Sequence, residues 1–212
     1  MKETKKALVT GGAGFIGSHL VDILLKNRVR VTVLDNLSTG HRSNLEQALS
    51  KIYFIEGDIR HRATVEAAVD GCDVIFHQAA VVSVPQTVDD PVGSSSVNTS
   101  GTLTILDVAR TQGVARVVLA SSCAVYGDDP IQPTHEDIPP QPKSPYALQK
   151  LIGEMHARLD YELYGLESIC LRYFNVYGPR QDPSSPYSGV ISIFMDRAVE
   201  KSKPVVYGDG RQ

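Results

Sequence analysis

"VTGGAGFIGSHL", Val9 to Leu20, is the stretch that decides the fold. A strand-length apolar run, "KALVT" (Lys6 to Thr10), leads into it, and a helical pattern, "FIGSHLVDILLKN", leads out. Gly11, Gly14 and Gly17 crowd the junction. Each glycine inside an element costs roughly 0.5–1 kcal/mol relative to alanine, so this crowding needs a reason. A strand, a glycine turn and a helix form the context in which a dinucleotide pyrophosphate is held. Gly11 permits the tight turn, Gly14 lets the backbone approach the pyrophosphate, and Gly17 lets the helix pack close to the sheet. The phosphates then face the positive end of the helix dipole. The spacing is GxxGxxG rather than GxGxxG, a weak signal alone, which an ordinary tight strand–helix turn would also give.

Outward from this turn the chain alternates. "RVTVLD" (30–35), "IYFIEGD" (52–58), "DVIFHQA" (73–79), "RVVLASS" (116–122) and "SICLRYF" (168–174) read as strands, most of them apolar on both faces. "RATVEAAV", "NTSGTLTILDVARTQ" and "PYALQKLIGEMHARLDYELY" read as helices between them. Such alternation predicts an α/β fold, a doubly wound parallel sheet of the Rossmann type with right-handed crossovers. After Phe174 the pattern breaks. "NVYGPRQDPSSPYSG" (175–189) predicts a long surface loop, followed by a helix over 190–201 and a short strand over 204–207. A dinucleotide-binding domain is expected over 1–174. The start of a substrate-binding region is expected over 175–212, because the chain stops at "GDGRQ" with no closing element.

The second strand ends in "VLDN", so Asp35 falls where a carboxylate can accept hydrogen bonds from the adenosine ribose. It would repel a 2′-phosphate, which favours NAD over NADP. Asp58, in "GDIR", either meets the adenine or caps the helix that follows.

Composition narrows the class. The chain has 212 residues, 42% of them hydrophobic and 21% charged, as in a soluble globular protein. A net charge of -3 gives no basic footprint for nucleic acid. No apolar run approaches the roughly 20 residues of a membrane span, and the "MKETKK" start is not a secretory signal. The three cysteines, Cys72, Cys123 and Cys170, lie far apart, and the six histidines are scattered. This predicts a reducing, cytoplasmic compartment and neither a disulfide framework nor a metal site.

"SPYALQK" carries the chemistry. Tyr146 and Lys150 lie four apart and project from one helix face. A phenol with a reference pKa of about 10 is a poor base at neutral pH, and an adjacent ammonium would lower that value. YxxxK also occurs on ordinary solvated helices. Ser121 and Ser122 in "ASSCAVYG" end the fifth strand, at the sheet edge that faces the ligand crevice, where one hydroxyl can bond an alcohol or ketone; a serine pair can equally cap a turn.

Together, "TGGAGFIG", "DNLSTG", "GDI", "HQAA", "VNTSGT", "SSCAVYG", "YALQK" and "RYFNVYGPRQDP" resemble the extended short-chain dehydrogenase/reductase superfamily, and within it the nucleotide-sugar 4-epimerases. The resemblance covers nearly the whole chain. It implies that Ser122, Tyr146 and Lys150 are catalytic, with Tyr126 as the reference tyrosine that identifies the serine. It implies that Gly11, Gly14, Phe15, Ile16 and Gly17 line NAD, with Asp35, Asn36, Leu37, Ser38, Thr39 and Gly40 around the ribose. Asp58, Ile59, Gln78, Ala79, Ala80, Val81, Val82, Asn98, Ala120, Tyr146, Lys150 and Phe174 match further NAD-lining positions. Ser83, Ser122, Cys123, Tyr146 and Asn175 match substrate positions.

Two departures stand out. Cys123 replaces a serine common among the relatives. Cys123 and Ala124 also replace the Asp-Glu pair of sugar 4,6-dehydratases, which argues against that reaction. The expected activity is NAD-dependent inversion of C4 of a UDP-hexose, UDP-glucose/galactose or the N-acetylated pair, through a transient 4-keto sugar. Alternatives are a UDP-glucuronate decarboxylase, a 4-reductase, or a non-catalytic NAD-binding module. In the resembling family a C-terminal region closes over the sugar nucleotide, so this chain is expected to bind NAD more readily than it turns over substrate. Leu103, Leu106, Leu151, Met155 and Leu159 on two helices read either as core or, by the resemblance, as a homodimer interface.

Overall fold

The structure, a computed structural model, describes residues 5–128, 132–182, 190–206 and 208–209. It divides into two compact units, Met1–Phe174 and Asn175–Gln212.

In the first unit six strands form one sheet: β1 (Lys6–Thr10), β2 (Arg30–Asp35), β3 (Ile52–Glu56), β4 (Val74–His77), β5 (Arg116–Ser122) and β6 (Glu167–Tyr173). Every pairing is parallel, in the order β3-β2-β1-β4-β5-β6. The chain builds outward from β1 to β3, then returns to place β4 beside β1. The reversal opens a crevice beyond the carboxyl ends of β1 and β4, where such sheets bind ligands. The sequence-predicted strands are found with ends shifted by one or two residues: the predicted tails at Gly57–Asp58 and Gln78–Ala79 leave the sheet and become crevice loops.

Strand alternation sends successive side chains to opposite faces, and both faces are covered. Leu8, Leu34, Ile75 and Val117 are buried on one face with Val65 and Val69 of α2 (Arg62–Val69), and with Ile105 and Leu106 of α5 (Thr102–Thr111). Val9 and Val33 are buried on the other with Val21 of α1 (Phe15–Lys26) and Leu45.

Where the sequence reading began a helix at Asn98, three pieces run together. These are α3 (Val84–Asp89), α4 (Pro91–Ser95) and a π-helical turn, Ser96–Gly101, that feeds into α5. Proline opens α3 and α4, and the Ser83 and Asp90 side chains cap them, so local chemistry starts helices inside what sequence periodicity leaves blank. The π turn inserts an extra residue per turn and re-aims Asn98. The long helix α6 (Pro145–Tyr164) matches its predicted span; Ser144 caps it by accepting from the Ala147 N–H at 3.2 Å, and Gly165 ends it in the left-handed conformation.

In the second unit, α7 (Val190–Val199) stops short of the predicted Lys201. Residues 175–182 carry no regular structure, and 183–189 of the predicted loop lie outside the described residues. The predicted strand over 204–207 is a correction: residues 204–206 pair with no strand, and Tyr207 lies outside the described residues. A short apolar run forms a strand only with a neighbouring edge to receive its hydrogen bonds, which sequence alone does not reveal. Among the described residues no helix is long and apolar enough to cross a membrane.

One buried group ties the strands to α5. His77, 4% exposed, bonds Thr10 Oγ1 through Nδ1 at 2.7 Å and Thr102 Oγ1 through Nε2 at 2.9 Å. Burial, reinforced by the charge of Lys150, lowers its pKa from 6.5 to about 3. The unfolded chain therefore takes up a proton near pH 6.5 that the folded chain refuses until about pH 3. Stability from this group is complete above pH 6.5 and declines as pH falls through that window, by about 1.4 kcal/mol per unit. Urea unfolding of the wild type and His77→Gln at pH 7 and pH 4.5 is expected to show their stability difference shrinking by about 2 kcal/mol. An unchanged difference would mean that His77 already titrates normally in the folded chain.

Candidate active site

The glycine turn is built as the pyrophosphate reading requires. Gly11 has φ of +66°, and a Cβ there would lie 2.7 Å from the Ala79 nitrogen. A Cβ on Gly17 would lie 2.1 Å from the Gly11 carbonyl oxygen. The turn of β1 is thus pressed on one side against the loop after β4 and on the other against α1. Gly14 caps α1 without any side-chain bond, so the first-turn N–H groups at Phe15, Ile16 and Gly17 stand ready for an anion.

Asp35, 7% exposed, accepts from the Ala13 N–H at 2.9 Å and from the Leu37 N–H at 2.8 Å. Its carboxylate holds the glycine turn and the loop Asn36–Gly40 in register, with acceptor capacity remaining on both oxygens. Asp58 is not the helix cap that sequence left open. His61 occupies that position, and Asp58 takes a bidentate grip from Arg60 at 2.9 and 2.7 Å plus a bond from Asn36 at 3.2 Å. The hydrogen bond from Arg60 leads in lowering its pKa to about 2. These residues fit an adenine dinucleotide: a phosphate cradle on β1–α1, a ribose acceptor on β2, and an anionic loop after β3.

At the end of β5 the strand pleat separates two serines that sequence grouped together. Ser121 turns away from the crevice and donates to Glu154 of α6. Glu154 pairs with Arg172 of β6 at 2.7 Å, and that guanidinium lies 4.6 Å over the Tyr126 ring. Ser122 faces the other way, accepts from the Ala124 N–H at 3.2 Å and lies beside the Tyr146 phenol, whose ionised form it favours. Cys123 sits within hydrogen-bonding reach of Ser122, and burial pushes its thiol pKa up.

Tyr146 lies in the first turn of α6, with its N–H donating to Thr87 Oγ1 at 3.2 Å. One turn on, Lys150 places Nζ 2.8 Å from the Ala120 carbonyl oxygen and 5.8 Å from the Tyr146 ring centre. Burial lowers Lys150 from 10.5 to about 8. Tyr146 is pushed up by burial, opposed by the Ser122 hydrogen bond. Lys150 bonds the Ala120 carbonyl while lying on the Tyr146 side of α6, and burial is the leading cause acting on the phenol.

Other predicted residues take clear positions. Gln78 donates to Tyr173 Oη at 3.5 Å, and Phe174 stacks at 6.5 Å from Tyr126. Ile59 is buried in the core, Val82 is exposed, and the Ser83 hydroxyl caps α3. The Asn98 amide is engaged entirely by protein groups, Val81 and Gln149. Asn175 belongs to the second unit. Sequence reasoning missed Thr87, Gln149, Glu154 and Arg172. Glu154 follows Lys150 by one helical turn and could have been read as sharing its face; nothing in the sequence links Arg172 to it.

A parallel sheet with a glycine cradle at its reversal point, and a serine–tyrosine–lysine cluster beside it, defines a nucleotide-dependent oxidoreductase-type domain. The profile of the NAD dependent epimerase/dehydratase family matches residues 7–212. A putative UDP-glucose 4-epimerase of Methanocaldococcus jannaschii is 44% identical over 97% of this chain and 67% of its own length. The structure of a UDP-N-acetylglucosamine 4-epimerase from Methanobrevibacter ruminantium, in complex with UDP-N-acetylmuramic acid, superposes with a TM-score of 0.94 at 40% identity, covering 100% of this chain and 68% of that one. A Thermus thermophilus UDP-glucose 4-epimerase in complex with NAD gives 0.86 at 44% identity, over 94% and 64%. More distant matches include a UDP-N-acetyl-α-D-glucosaminuronate decarboxylase and a dTDP-glucose 4,6-dehydratase. The chain belongs to the NAD dependent epimerase/dehydratase family, with NAD as cofactor. It spans about two thirds of the length of the relatives it matches.

Proposed function

We propose that this chain carries the cofactor and catalytic part of an enzyme that inverts C4 of a UDP-hexose, either the glucose/galactose or the N-acetylated pair, through a 4-keto sugar. The observation that supports it most directly is the gathering of Tyr146 and Lys150 at the end of β5, with Lys150 Nζ 5.8 Å from the Tyr146 ring centre and 2.8 Å from the Ala120 carbonyl oxygen, and Ser122 beside the phenol. NAD, held by the Gly11–Gly17 turn and Asp35, would supply reversible hydride transfer at the sugar carbon. Tyr146 takes the proton from the 4-hydroxyl and gives it back. Ser122, beside the phenol, bonds the same oxygen and favours the phenolate. Lys150, held by Ala120, supplies positive charge beneath the phenol as substrate desolvates the site.

Cys123 and Ala124 offer no acid beside Ser122, which favours epimerisation over loss of water. Residues 1–174 are read as the NAD-binding domain and 175–212, with Asn175, as the beginning of the sugar-binding region. A homodimer through α5 and α6 is part of the same reading: Leu106 is buried in the core, while Met155 and Leu159 remain exposed.

The test is a product assay with UDP-glucose, UDP-N-acetylglucosamine and UDP-glucuronate, followed by NMR of the sugar ring. A C4 epimer without net NADH is expected. Release of carbon dioxide from UDP-glucuronate would replace this reading with a decarboxylase. NAD binding with every sugar left unchanged would replace it with a non-catalytic NAD module.

A further inference from the structure

Gln149 is 4% exposed, stands between Tyr146 and Lys150 in sequence, and makes no contribution to the chemistry above. Its Oε1 accepts from Asn98 Nδ2 at 2.7 Å, and its Nε2 donates to Ser94 Oγ at 3.0 Å. Asn98 in turn grips Val81 at both backbone groups. Its Oδ1 accepts from the Val81 N–H at 2.8 Å, and its Nδ2 donates to the Val81 carbonyl at 2.9 Å. Val81 belongs to the loop whose Ala79 presses against Gly11 of the glycine turn. One buried amide pair therefore joins the helix bearing the phenol and the ammonium to the loop that walls the nucleotide cradle. The π turn is what aims Asn98 at both partners.

We infer that Gln149 is a positioning residue: through Asn98 it sets the register between the Val81 loop and α6, so that NAD capture and placement of Tyr146 depend on a single polar clamp. The inference rests on NAD as cofactor and on the proposed role of Tyr146, and the two parts are read separately. A buried amide whose partner is removed leaves polar groups unpaired, and the loop shifts to recover them.

NAD affinity is measured by isothermal titration calorimetry, without sugar, for the wild type, Gln149→Leu, Gln149→Glu and Ser94→Ala. Gln149→Leu, which keeps bulk and removes both bonds, is expected to weaken NAD about tenfold. Gln149→Glu keeps an acceptor for Asn98 and is expected to stay within threefold of wild type. Ser94→Ala removes the bond from Gln149 and the Ser94 Oγ bonds back to Asp90 and Pro91 but leaves the Asn98 link, and is expected to stay within twofold. In parallel, the phenolate titration of Tyr146, read at 295 nm as the difference from Tyr146→Phe, is expected to move in Gln149→Leu and not in Ser94→Ala. Folded Gln149→Leu with wild-type NAD affinity would overturn the clamp. If Gln149→Leu fails to fold, Gln149→Met, which also removes both bonds, takes its place: a tenfold loss is expected, and wild-type NAD affinity in it would overturn the clamp. An unmoved Tyr146 titration alongside weakened NAD would overturn the α6 half of the inference while leaving the epimerase reading, which the product assay decides, in place.

Discussion

Tyr146→Phe is expected to lower turnover of the sugar nucleotide by about 10²- to 10⁴-fold, the usual worth of a positioned proton-transfer group. The ring is retained, so packing in the first turn of α6 and its bond to Thr87 persist. What is lost is the phenol oxygen proposed to move the proton, while Ser122 keeps its bond from Ala124. NAD affinity should change by no more than a few-fold, since the glycine turn and Asp35 are untouched. Rates with saturating UDP-sugar, together with calorimetric NAD titration, separate the effects. A variant turning over within threefold of wild type would remove Tyr146 from the chemistry.

Gly17→Ala should fail at an earlier step. Its methyl group would lie 2.1 Å from the Gly11 oxygen and 2.8 Å from the Gly12 Cα, both backbone atoms that cannot rotate aside. Helix α1 must slide off the sheet, which disturbs the Gly14 N–H bond to the Gly11 oxygen at 3.1 Å. Overpacking of this kind costs roughly 1–3 kcal/mol, or about 2–4 °C in Tm per kcal/mol for a chain of this size. The larger effect falls on ligand capture, because the helix N-terminus leaves the position where the pyrophosphate would sit. NAD affinity is expected to drop at least about 100-fold, the scale of losing two or more charge-assisted hydrogen bonds. A folded Gly17→Ala chain with NAD affinity within tenfold of wild type would show that the cradle lies elsewhere.

The cradle and the strand–helix alternation were legible because their causes are local. Three glycines between a strand and a helix, and a carboxylate ending the next strand, each act through their own backbone conformation and the period of the neighbouring apolar residues. The start of α6 was legible for the same reason: Ser144 and Pro145 are a cap and a first-turn residue in sequence before they are so in space. The helices α3 and α4 carried the same kind of signal in Ser83-Val84-Pro85 and Asp90-Pro91, but too few residues followed for any periodicity to show.

The environment of each reactive group was not legible. Whether Ser121 or Ser122 faces the crevice is set by the pleat of β5 and by Glu154, which arrives from a helix 33 residues away. Whether Lys150 lowers the Tyr146 pKa depends on where its Nζ points and on how far both groups are desolvated. The Asp58 carboxylate is held by Arg60 and does not cap a helix, a pairing outside both readings that the sequence offered.

By itself, then, the sequence determined the parallel sheet, the nucleotide turn and the preference for NAD, because spacing along one strand or helix dictates which residues share a face; Ser122, Tyr146 and Lys150 were singled out by the family resemblance. Only the tertiary structure decided how those groups are oriented, buried and linked through Asn98, Gln149, Glu154 and Arg172. Hydrogen bonds and desolvation act over a few ångströms of space, and the residues that these four join are separated by up to 55 positions along the chain.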